Sequence, residues 1–186
     1  MSFAFSRRSF LKYTAVAAVA VAGASLFTGC KVDTSDSYNA LRTTPGELTV
    51  LQVTAAMGTY VEASKSYTAP VVTGTTIAFP FKITNGRANP IYVNPNNFKA
   101  TVLNAKDEVI AKYTAINGLT PDAPLCDTNL KKGASVSGNI NLKLGVALEP
   151  GQSIVLTYCP DLQYNEYSLN WQLTVPAKKE ESSSST

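Results

Sequence analysis

The chain contains no histidine, and that absence removes imidazole general bases, histidine-activated nucleophiles and every histidine-containing zinc site. Charged residues are scarce at 16%. Also missing are Cys-x-x-Cys, Gly-x-x-x-x-Gly-Lys and Gly-x-Ser-x-Gly, so the common redox, phosphate-cradling and serine-hydrolase motifs are not available. Helical periodicity is essentially lacking beyond the first thirty residues or so. The chain thus offers no catalytic residues, no metal ligands and no cofactor site, and it reads as a non-enzyme.

The most specific message is at the start. Ser6-Arg7-Arg8-Ser9-Phe10-Leu11-Lys12 precedes an apolar run from Tyr13 to Phe27, which ends in Thr28-Gly29-Cys30. A basic start and a short apolar core are the layout of an export signal. The run is rich in Ala and falls short of the roughly twenty strongly apolar residues that a spanning helix needs. The heptad resembles the twin-arginine export consensus through Arg7, Arg8, Phe10 and Leu11, and the resemblance implies that the downstream domain folds before it crosses the membrane. Leu26 to Cys30 resembles a bacterial lipobox. That resemblance implies a diacylglyceryl group on the Cys30 thiol, cleavage before it, and an extracytoplasmic protein held to the cell membrane by lipid. Phe27 departs from the usual Leu of that pattern, and cleavage after Ala22-Gly23-Ala24 would instead release a soluble form.

The formal charge of +3 belongs to the signal: Arg7, Arg8 and Lys12 are three of the sixteen basic residues, while none of the thirteen acidic residues lies before Cys30. A neutral mature chain has no electrostatic footprint for nucleic acid. Once Cys30 carries lipid, Cys126 and Cys159 remain as a pair in an oxidising compartment, where a disulfide is expected. It would close a loop of about 34 residues, worth about 3 to 4 kcal/mol in the chain-entropy picture.

Residues 1–29 are therefore read as signal and 30–46 as a polar, flexible tether. Residues 47–175 form the folded domain, and 176–186 a solvated tail. Within the domain, Leu48 to Val53 reads as a first strand. Ile77, Phe79, Phe81 and Ile83 share one face of another, with Pro80 on the opposite face marking an edge or a bulge. Further short strands follow at Ile91–Val93, 98–103, 109–113, 136–144 and 153–159, and Tyr167, Leu169, Trp171, Leu173 and Val175 line one face of the last. Between them, Ala115 to Gly133 is a long irregular stretch that a disulfide would tie down. Seven or eight short strands with Gly, Pro and Asn turns predict an all-β, antiparallel, immunoglobulin-like β-sandwich.

Four segments, Phe79–Asn85, Asn94–Phe98, Lys132–Gly138 and the closing Trp171, resemble the telokin-like immunoglobulin-fold domain of secreted bacterial lipoproteins, a family catalogued as a domain of unknown function. The similarity spans about Leu48 to Val175 and consists of strand and turn patterns. It implies the sandwich and leaves activity open.

Binding residues are sought among nine tyrosines, because exposed aromatics anchor sugars or protein partners. Tyr158, Tyr164 and Tyr167 cluster near Cys159; Tyr167 shares a core face with Trp171, and Tyr164 is the exposed candidate. Asp122 and Asp127, or Asp161 and Glu166, would have to converge to form a carboxylate or calcium site. The reading is a lipid-anchored module presenting an immunoglobulin-like domain to a protein or envelope partner. A carbohydrate- or peptidoglycan-binding accessory domain is the alternative, and a carboxylate hydrolase ranks last.

Overall fold

The computed structural model describes residues 39–164 and 166–176. Arg7, Arg8, Phe10, Leu11 and Cys30 lie outside the described residues.

Alternating burial builds two facing sheets. The first contains β1 (Asn39–Arg42), β9 (Phe98–Leu103), β10 (Val109–Tyr113), β14 (Ser153–Tyr158) and β15 (Ser168–Thr174), in the order β1-β15-β14-β9-β10. The second contains β2 (Gly46–Val50), β3 (Val53–Met57), β7 (Thr76–Asn85), β11 (Leu119–Pro121) and β13 (Ser135–Lys143), in the order β11-β13-β7-β3-β2. A short strand β6 (Val71–Thr73) also pairs with β7 in this second sheet. Two small ribbons complete the fold, β4 (Tyr60–Val61) with β5 (Ser66–Tyr67) and β8 (Ile91–Val93) with β12 (Thr128–Leu130). This is the expected all-β, immunoglobulin-like sandwich, with more strands than expected. All described pairings between strands are antiparallel except β1 with β15, which is parallel.

The core sits where the inner faces meet. Ile77, Phe79, Phe81 and Ile83 are buried, as their spacing predicts. Phe81 meets Trp171, Phe98 and Tyr158 edge-on, with ring centroids 5.2, 5.6 and 5.9 Å apart, the geometry that the ring quadrupoles favour. Trp171 is fully buried and donates its indole N–H to the Gly46 carbonyl at 2.9 Å. That bond fastens β2 across the sandwich to β15; an unmet indole N–H there would cost about 1 to 3 kcal/mol.

Three expectations need correction. The tether does not extend to residue 46, because β1 pairs along β15 and Ala40 is buried. Polar composition hid a strand whose partner lies about 130 residues away. Leu48 to Val53 is a hairpin rather than one strand: Leu51 and Gln52 have φ of 49° and 58°, the positive values that a tight two-residue turn between β2 and β3 requires. Pro80 lies on an interior strand without a bulge, its register with β13 being unbroken. β3 stops at Met57, one position short of Pro80, and the Pro80 carbonyl takes its bond from the Gly58 N–H at 2.7 Å, so the missing proline donor interrupts no ladder.

Cys126 and Cys159, expected to pair, are not joined to each other in this structure. The Cys126 Sγ bonds the Pro121 carbonyl at 3.2 Å. Cys159 is buried just beyond β14, its N–H on the Asn97 carbonyl; burial pushes its thiol pKa up, partly opposed by Lys99. The stretch from Ala115 to Gly133 is held by other means. β11 pairs with β13, β12 pairs with β8, and Asp122 accepts from the Asn139 backbone N–H at 2.7 Å, the Asn139 amide at 3.0 Å and the Asn141 amide at 2.9 Å.

Candidate functional site

The strand registers set one row of side chains across the outer face of the second sheet. Glu47 on β2 pairs with Ala56 on β3, Ala56 with Lys82 on β7, and Lys82 with Ser137 on β13. Ala56 is short, and Glu47 and Lys82 on either side of it are long and exposed. A hollow forms over the alanine. In the neighbouring row Pro80 faces Asn139, which extends the floor.

The β4–β5 ribbon supplies a wall. Its fold depends on Gly58, whose φ of 93° and tight packing admit no side chain: a Cβ there would come within 2.4 Å of the Thr68 carbonyl oxygen. The Thr68 N–H returns to the Thr59 carbonyl at 2.9 Å, and the Thr59 N–H to the Thr68 hydroxyl at 2.9 Å. This brings Tyr60 and Tyr67 together with ring centroids 5.2 Å apart. The resulting cleft encloses about 520 Å³ and is lined by Glu47, Tyr60, Tyr67, Lys82, Ser137 and Asn139 over a floor that includes Ala56 and Pro80.

Burial first, and then a hydrogen bond to the Glu47 carboxylate, push the Tyr67 pKa up to about 12. The phenol stays neutral beside the Glu47 carboxylate. Tyr60, 47% exposed, presents its ring to solvent. The cleft holds a single carboxylate, whereas carboxylate-based glycoside hydrolysis uses two.

A second recess, of about 440 Å³, includes Ile77, Phe79, Leu144, Ile154 and Leu173 in its lining. Thr174 is its one polar side chain, so it lacks the convergent polar groups that orient a small molecule.

Tyr164 is exposed and meets Tyr167 edge-on at 6.5 Å, and the cleft lies elsewhere. Tyr158 belongs to the core, packed on Phe81 and Phe98, and burial drives its phenol pKa upward. The carboxylates do not converge: Asp161 pairs with Arg87 at 3.5 Å, and Asp122 is taken up by amides. Among the described residues no group of three or more acidic or cysteine side chains could hold a metal, and no helix is long and apolar enough to cross a membrane. The cleft residues were missed because Tyr60 and Tyr67 lie in a stretch without strong periodicity. The outward alternation of Lys82, Ser137 and Asn139 was the available signal.

No family model and no curated protein matches the chain. Among solved structures, it is similar to a candidate lipoprotein, ycdA, of Bacillus subtilis, at 12% identity and a TM-score of 0.43, over 73% of this chain and 40% of that one. The chain thus spans about two fifths of that protein's length. A β-sandwich protein of Clostridium difficile is similar at 11% identity and a TM-score of 0.38, over 72% of this chain and 93% of that one. An archaellum periplasmic stator protein, FlaG, of Sulfolobus acidocaldarius is similar at 13% identity and a TM-score of 0.35, over 56% and 92%. No activity or partner passes to this chain through such likenesses.

Proposed function

We propose that this protein is an extracytoplasmic lipoprotein, exported through Ser6–Lys12 and anchored at Cys30, whose telokin-like immunoglobulin-type sandwich is a non-enzymatic binding module for a component of the cell envelope. The observation that carries this reading is the cleft over Ala56. It is concave, it combines an exposed aromatic pair with a few polar groups, and its volume falls within the roughly 300 to 1,000 Å³ of ligand sites. Its single carboxylate, Glu47, supports binding over hydrolysis. A short tether from Cys30 to β1 would keep the module within a few nanometres of the membrane. Tyr164 offers a second exposed aromatic for protein contact.

The test is sedimentation of the purified mature protein, with Cys30 replaced by Ser to remove lipid, against isolated envelope freed of membrane vesicles. Saturable co-sedimentation is expected. Unchanged protein in the supernatant at every envelope concentration would contradict the reading.

A further inference from the structure

The cleft over Ala56 discriminates among ligand chemistries, and this step rests on the envelope-binding reading above. A cationic ligand would meet the Lys82 ammonium beside the floor. An anionic ligand would meet the Glu47 carboxylate. Acid and amine flank the same alanine, so neither sign of charge is selected. A purely apolar ligand would strand Glu47, Lys82, Ser137 and Asn139 without partners, at a cost in desolvation.

One class satisfies all the surfaces, a neutral ligand with an apolar face and a rim of hydroxyls. We infer that the cleft binds a pyranose unit of a glycan, the C–H face of the ring stacking on Tyr60 and its hydroxyl or acetamido groups bonding to Glu47, Asn139 and Lys82. Tyr67, its ring 5.2 Å from that of Tyr60, completes the aromatic wall beside Glu47.

Chitotetraose and cellotetraose serve as probes, titrated calorimetrically into the mature protein with Cys30 replaced by Ser. They share the β-linked pyranose and differ in the acetamido group, so the stronger of the two identifies which rim group the cleft reads. Saturable binding of either is expected, with Tyr60→Ala weakening it about tenfold, a typical loss for one aromatic stacking contact. Tyr60 is half exposed on a two-residue strand, so its replacement spares the core. Tyr92→Ala, on β8 away from the cleft and equally exposed, should bind like the parent. Absence of heat with both sugars, in a protein that still co-sediments with envelope, overturns the glycan assignment and leaves the envelope reading standing. Binding that survives Tyr60→Ala and is lost in Tyr164→Ala overturns it as well.

Discussion

At Asp122 one carboxylate holds a segment that covalent chemistry was expected to hold. The Asn139 backbone N–H, set against some desolvation and helped by the amides of Asn141 and Asn139, lowers the Asp122 pKa below the usual carboxylate value. A carboxyl with a depressed folded-state pKa adds stability above its unfolded pKa and loses it as the pH falls through the folded one. Asp122→Ala should lower stability by about 0.5 to 1 kcal/mol at neutral pH, its hydrogen bonds being discounted for solvent screening of a partly exposed carboxylate. Its denaturation midpoint should also fall less than the parent's between about pH 4 and the lower folded-state pKa. Urea melts at pH 7 and pH 3 check both; an equal acid loss in both proteins would remove Asp122 from the account. The same residue explains a limit of sequence reading. Asp122 and Asn139 are seventeen residues apart, and nothing short of the β11–β13 register shows that they meet.

The β2–β3 hairpin shows what was legible at the scale of elements and what was not. Strand faces followed from alternation, as at Ile77 to Ile83, and glycine turns were expected between the strands, as at Gly151 with its φ of 85°. The turn at Leu51-Gln52 carries neither Asn nor Gly, so it read as continuous strand; its left-handed backbone is held by tertiary contact, the Gly86 N–H bonding the Gln52 carbonyl at 2.8 Å. β1 and the β4–β5 ribbon escaped for a related reason, since their pairing is set by distant or very short partners. Substitutions at the turn should have opposite signs. Gln52→Gly relieves left-handed strain of about 1 kcal/mol, offset in part by the freedom glycine gives the unfolded chain, for a net gain of about 0.5 kcal/mol. Gly86→Ala places a Cβ 2.6 Å from the Gln52 carbonyl oxygen and should cost more than about 1 kcal/mol. Thermal melts of both variants decide this; matched midpoints would mean that the turn is not strained.

At the scale of the whole molecule, the sequence divides its messages between two regions. The proposed address lies in the first thirty residues, in a pattern that needs no fold to be read. The sandwich was legible as a class, because period-two burial recurs along the chain. The cleft was not, because it comes from a four-strand register that places a small residue between two long ones. The proposed anchored binding module joins the two regions, and it depends on a mature N-terminus at Cys30. The most direct measurement is the intact mass of the mature protein taken from the membrane fraction, before and after reduction. The account predicts an N-terminus at Cys30 carrying diacylglyceryl mass; the reduction step reads directly whether Cys126 and Cys159 are bridged. A non-acylated N-terminus at Ser25, recovered from the soluble fraction, would contradict it.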